Sequence, residues 1–177
     1  VKRLLEEMIA VFRQIDFVGA SMQTHASLSA ARGILRFYES TGDESFLRTA
    51  EELFALYCRE GMTENYANDN WFDRPGWTEP CAVIDSYMLA SGLFDNTGDS
   101  RYLLIAQRIF YNAMGFAQRS NGGFGCDNCV GAQEPFVHPK EEYFEAYWCC
   151  TMRGGEGLAR AAENMLRTDA DTLYILR

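Results

Sequence analysis

The residues with the most chemical content are the adjacent thiols Cys149 and Cys150, in EAYWCCTMRGGEG, and a carboxylate and thiol further upstream, Glu79 and Cys81, in WTEPCA. Two short clusters of soft ligands suggest one metal site. Zinc takes four ligands from thiolate, imidazole or carboxylate, and a metal-bound thiol is deprotonated at neutral pH, so it is both a ligand and a candidate nucleophile. Adjacent cysteines seldom bond to each other, because a vicinal disulfide strains the intervening peptide. Placed where a helix begins, both sulfurs can point into one cavity, and the helix terminus lowers thiol pKa. Glu79 and Cys81 straddle Pro80, so an extended residue and a first-turn residue can reach one point, although positions i and i+2 of a regular helix cannot. The favoured ligand set is Glu79, Cys81, Cys149 and Cys150. Its rival is a four-thiolate site from Cys126, Cys129, Cys149 and Cys150, which has the CxxC spacing of structural zinc motifs. A third reading leaves these as buried or loosely paired thiols with no metal.

Other polar residues could act beside such a site. Glu64, in GMTENYANDNWF, sits in an irregular loop near Tyr66, Trp71, Phe72 and Trp77. A carboxyl among aromatics is partly desolvated and can hold a proton at neutral pH, as a general acid/base needs. A solvated loop glutamate is the plainer alternative. Exposed aromatic faces such as Trp71 also suit the CH groups of sugars. His25, in THASLSAARG, could hydrogen-bond a ligand, whereas His138 reads as structural.

The elements that must position these residues are mainly helices. Apolar spacing predicts six, at about 2–15, 26–41, 44–60, 80–97, 100–118 and 148–167. Asp43 and Asp99 stand where N-caps belong, and Pro80 suits a first helical position, with Glu79 held extended before it. The segment Phe37 to Phe54 lines up with Leu93 to Phe110 at a constant offset of 56 residues, sharing Thr-Gly-Asp at the turn. Phe46, Leu47, Ala50, Leu53 and Phe54 match Tyr102, Leu103, Ala106, Ile109 and Phe110. The unit is a helical hairpin stacked on its neighbours, so the expected fold is all-α, a solenoid or a closed α/α toroid. Two long irregular stretches, Gly61 to Thr78 and Ser120 to Tyr147, interrupt the helices, and such loops are usually functional. Around FGCDNC a β-hairpin is as natural as a zinc knuckle. The closing DTLYILR reads as a short strand, which suggests that a β-domain follows.

Bulk properties exclude several classes. At 177 residues and 47% hydrophobic, one globular domain is the default. A net charge of -9 with no basic block argues against nucleic acid. No apolar run approaches the roughly 20 residues needed to span a bilayer, so no membrane partner is expected. The first residue is Val rather than Met, which leaves room for an upstream start. Six clustered cysteines read as metal chemistry in a reducing compartment such as the cytoplasm. Cys58 reads as a small core residue.

With His25 leading helix two, a loop glutamate about fifteen residues ahead of a Glu-x-Cys-Ala segment, and a later Cys-Cys opening a helix, the chain resembles the bacterial β-L-arabinofuranosidases of glycoside hydrolase family 127 and their relatives. The resemblance spans nearly the whole length. It implies an (α/α)6 barrel, of which 1–177 would be about half, in one partial catalytic domain. It implies Glu79, Cys81 and Cys150 as zinc ligands, Cys149 as the zinc-bound nucleophile, and Glu64 as the acid/base, with His25, Trp71 and Tyr147 on the sugar. The implied reaction is retaining hydrolysis of a small L-arabinofuranoside-like sugar through a thioglycoside, an exception to the two-carboxylate rule. Pro80 within the Glu-x-Cys segment, the divergent upstream loop and the additional Cys126 and Cys129 mark a divergent subfamily, so the sugar can differ. Half a barrel would need its remainder, or a second copy in a homo-oligomer, to wall the pocket. Two readings from other classes stand beside this one: a non-catalytic helical-repeat module fastened by zinc, and a sugar epimerase or isomerase using His25 and His138.

Overall fold

The Thr-Gly-Asp repeat builds two matching corners between helices. In the computed structural model, which describes residues 1–129, 149–168 and 171–175, α2 (Thr24–Thr41) and α4 (Pro80–Thr97) each end on a left-handed glycine, Gly42 at φ 70° and Gly98 at φ 69°. A Cβ would be strained there. Thr41 and Thr97 turn their hydroxyls back onto the carbonyl oxygens of Phe37 and Leu93, at 2.8 and 2.7 Å. Asp43 and Asp99 then cap the next helices, α3 (Glu44–Glu60) and α5 (Ser100–Arg108), accepting from the N–H groups of Ser45 and Arg101 at 2.9 Å. The predicted repeat is therefore a pair of helical hairpins, α2 with α3 and α4 with α5.

Helix α4 is the centre of the domain. From Pro80 to Phe94 it is buried at all but two positions, Met88 and Gly92. It packs against α2, α5 and the last helix, α7 (Cys149–Asn164). The glycines that follow the cysteine pair explain how close α7 comes. A Cβ on Gly157 would lie 2.2 Å from Ile84 Cδ1, and one on Gly154 would lie 2.1 Å from the Phe124 ring. Between them, α5 runs on through a π-helical stretch, Ile109–Met114, into the short turn α6 (Gly115–Ala117).

The helix bounds differ from expectation mainly at the ends. The first helix, α1 (Lys2–Phe12), stops three residues early, and α2 starts at Thr24, taking His25 into its first turn. The last helix ends at Asn164 instead of 167, because Leu166–Thr168 forms a strand, β3, paired antiparallel with β4 (Leu173–Ile175). This hairpin is fastened to the end of α4 by Tyr174, edge-on to Phe94 at 4.9 Å, and by an Arg167–Asp95 ion pair. Near the CxxC segment Gln118 bridges Phe124 antiparallel across a tight turn, and the residues just beyond it pair with a different part of the chain. Strand β2 (Asp127–Asn128) pairs with β1 (Trp77–Thr78) from the loop before α4, Thr78 opposite Asp127.

The outer face of α1 remains uncovered among the described residues. Leu4, Met8 and Val11 are 59%, 58% and 65% exposed. In the second hairpin, Tyr102, Leu103 and Phe110 are only half-buried where their counterparts Phe46, Leu47 and Phe54 are buried. Open apolar edges of this kind are what a segment of a toroid would show. No helix among the described residues is long and apolar enough to cross a membrane.

Candidate functional site

Two helix entrances meet. Pro80 forces Glu79 into extended backbone, φ -128° and ψ 122°, one residue before α4, and places Cys81 in the first turn. Cys149 and Cys150 open α7. One ligand atom from each of Glu79, Cys81, Cys149 and Cys150 falls within 4.8 Å of the others. Sulfurs around a tetrahedral zinc ion, at 2.3 Å each, lie about 3.8 Å apart; Cys81 Sγ and Cys149 Sγ are 3.5 Å apart. Three members are buried residues and Cys149 is exposed. Glu79 Oε2 is buried with no hydrogen-bond partner among the described residues, an uncompensated acceptor of the kind a cation satisfies. The donor set and this orphaned oxygen fit a thiophilic metal ion.

Asn68 holds the carboxylate arm. It is fully buried, and its Oδ1 accepts from the Glu79 N–H at 3.1 Å and from the Thr78 hydroxyl at 2.9 Å. Its Nδ2 donates to Thr24 Oγ1 at 3.1 Å, and its carbonyl accepts from Cys129 Sγ at 3.4 Å. The Asn-rich loop is therefore a scaffold for Glu79. Cys129 belongs to that scaffold and not to the four-donor cluster. Cys126 does approach the cluster, its Sγ 3.9 Å from Cys150 Sγ. The rival set of Cys126, Cys129, Cys149 and Cys150 is thus not the one that converges.

A second polar group lies one helical turn deeper. Asp85 follows Cys81 by four residues, and Arg153 follows Cys149 by four, so both share the faces that carry the sulfurs. Asp85 is wholly buried. Its Oδ2 takes His25 Nδ1 at 2.7 Å and the Ser29 hydroxyl at 2.6 Å, and its Oδ1 pairs with Arg32 and Arg153. Glu156 completes the group by pairing with Arg153. Sequence reasoning missed Asn68, Asp85, Arg32, Arg153 and Glu156. The available signal for Asp85 was a lone acid in the otherwise uncharged run PCAVIDSYMLASG, which opens the helix.

Burial and charge tune these groups in opposite directions. Burial alone would raise Asp85, but hydrogen bonds from His25 and Ser29 and the two guanidinium charges hold it below the usual carboxylate range. The same hydrogen bond raises His25 above the usual imidazole value. Burial raises Glu79. Among the thiols, hydrogen bonds from Cys126 and then Cys81 pull Cys150 down to about 3, while its hydrogen bond to Cys150, reinforced by burial, pushes Cys81 up.

The remaining predicted residues are placed unevenly. Trp71 is half-buried, bridges Gln23 at the start of α2, two residues ahead of His25, and stands edge-on to Trp77 at 5.6 Å. Glu64 is exposed on the turn around Thr63 and Asn65. Among the described residues near it in sequence, Phe72 is fully buried and Tyr66 turns to Arg108. Tyr147 and His138 lie outside the described residues.

Helical hairpins around a thiol and carboxylate cluster, seated where two helices begin, define an α/α-toroid domain with a candidate metal centre. The profile of the β-L-arabinofuranosidase GH127 catalytic domain matches residues 13–163, and the chain belongs to this family. Its fold is similar to that of a GH127 β-L-arabinofuranosidase from Geobacillus stearothermophilus T6, with TM-score 0.65 and 16% identity, over 88% of this chain and 28% of that one. It is also similar to an inactive variant of the α-1,6-mannanase GH76A of Salegentibacter sp. HEL1_6 in complex with α-1,6-mannotriose, with TM-score 0.60 and 14% identity, over 80% of this chain and 42% of that one. The chain thus spans less than half of either structure. No curated protein sequence matches it.

Proposed function

We propose that this chain carries the catalytic centre of a retaining glycosidase acting on a small, L-arabinofuranoside-like sugar, with Cys149 as nucleophile and zinc as the metal. One observation carries the reading: four donors of the right chemistry converge, and Cys149 is the one exposed residue among them. Membership of the GH127 family supports the reaction class. Zinc bound by Glu79, Cys81, Cys149 and Cys150 would keep sulfur ionised at neutral pH.

The chain's own residues then divide the work. Cys149 Sγ attacks the anomeric carbon as the glycosidic C–O bond breaks, and the leaving oxygen takes a proton from Glu64. Water, giving its proton to Glu64, then displaces the sulfur and releases the sugar with retained configuration. Glu64 takes this role on the family motif, from an exposed turn. His25, oriented through Nδ1 by Asp85, and Trp71, bridged to Gln23 at the start of the same helix, are assigned to the sugar. A closed sugar pocket needs further helices, supplied by a longer chain or by a second copy.

The test combines elemental analysis with turnover of an aryl β-L-arabinofuranoside. Zinc near one equivalent in this chain, which by itself is expected to be inactive, and loss of hydrolysis in Cys149→Ala made in the full-length protein, with the fold intact by circular dichroism, are the expected results. Undiminished hydrolysis by Cys149→Ala would refute the nucleophile assignment.

A further inference from the structure

The tip that carries Cys126 is held from several directions. The Phe124 N–H donates to Thr151 Oγ1 at 3.0 Å, in the first turn of α7. The Phe124 ring lies over Gly154, where a Cβ would come within 2.1 Å of it, so Gly154 is the socket for this loop. Arg119 Nη2 donates to the Cys126 carbonyl at 2.6 Å, and Arg119 also pairs with Asp127. Asp127 and Asn128 pair in turn with the strand Trp77–Thr78, which leads directly into Glu79. Cys126 is thus registered against both arms of the cluster. Its Sγ lies 3.9 Å from Cys150 Sγ, and Cys150 is buried.

Resting on the zinc reading above, we infer that Cys126 is an outer thiol of the metal centre, which donates its S–H to the Cys150 sulfur without binding the metal itself. The direction of the bond follows from the ligand count. Glu79, Cys81, Cys149 and Cys150 fill the four positions of a tetrahedral ion, so Cys150 is the thiolate acceptor and Cys126 keeps its proton. The reason for such a donor is charge. Three thiolates and a carboxylate outweigh a dication, and buried excess negative charge is costly unless donors compensate it. Partners that hydrogen-bond to metal ligands usually change metal affinity 10–100-fold when removed, by roughly that range.

The experiment uses the full chain, with Co2+ as a spectroscopic probe and Zn2+ affinity measured by competition with a chelator. Cys126→Ala is expected to bind Zn2+ about 10-fold more weakly, while its Co2+ complex keeps the full sulfur-to-cobalt charge-transfer intensity. Cys126→Ser, which retains a donor, is expected to recover most of the affinity with the same spectrum. Unchanged affinity in Cys126→Ala would make Cys126 a bystander and overturn the inference. Loss of charge-transfer intensity in either variant would make it a ligand and overturn it too. Should Cys126→Ala fail to fold, the Cys126→Ser spectrum decides. A wild-type chain that takes up no metal removes the centre itself, an outcome visible before any variant is made.

Discussion

Replacing Asp85 with asparagine tests whether the buried carboxylate organises the polar layer beneath the sulfurs. Removing one partner of a buried ion pair costs about 3–5 kcal/mol. Here Arg32 and Arg153 are 21% and 22% exposed and can partly rehydrate, and asparagine keeps an oxygen for them. The lower end, about 3 kcal/mol, is therefore expected, which in a chain of this size lowers Tm by about 6–12 °C. The pH dependence follows from the two shifted groups. Asp85 is held below its ordinary pKa, so its contribution is complete above the unfolded value of about 3.9 and is lost as pH falls through the lower folded value. His25 is raised, so its contribution is complete below about 6.5 and is lost as pH rises through the higher folded value. Both dependences should flatten in Asp85→Asn. His25, losing the interaction that chiefly raises it, should then titrate lower, because burial opposes its charged form. Thermal melts across pH and an NMR titration of His25 measure both. An unchanged Tm, or a His25 titration that stays where the wild type has it, refutes the reasoning.

Two further outcomes are expected. Gly157→Ala drives a methyl into Ile84, 2.2 Å from its Cδ1, and should cost about 1–3 kcal/mol by overpacking, read as a lowered denaturation midpoint; Gly155→Ala, which meets nothing within 4 Å, is the neutral control. Chelation should lower Tm because a metal joining α4 to α7 binds only the folded state; at free metal 100 times Kd the loss is about 2.7 kcal/mol. A melt unaffected by chelator, at proven metal loss, would show that the cluster does not couple to folding.

Much of this molecule was legible because its signals are local. The Thr-Gly-Asp corners are written in consecutive residues, each of which acts on its own backbone: threonine bonds one turn back, glycine takes the left-handed region, and aspartate caps the next helix. The pairs around Pro80 and at Cys149–Cys150 were likewise readable as helix entrances, and their chemistry matched. Two things resisted. The end of the last helix was overrun because Leu166–Thr168 finds its partner only when Leu173–Ile175 folds back and Tyr174 reaches Phe94. The Glu64 environment stayed open between a desolvated and a solvated carboxyl, because nearness in sequence to Tyr66, Trp71 and Phe72 does not decide which way those rings turn.

The amino-acid order by itself determined the helices, their caps, the hairpin repeat and the set of residues able to ligate a metal, since each depends on spacing and on side-chain chemistry within a turn or two. Only the tertiary structure decided which donors meet, that Cys129 serves Asn68 while Cys126 approaches Cys150, and that Asp85 gathers His25, Arg32 and Arg153. Those outcomes depend on the distance between helices far apart along the chain. That distance is set by Gly154 and Gly157, where a missing Cβ lets α7 close onto Phe124 and Ile84.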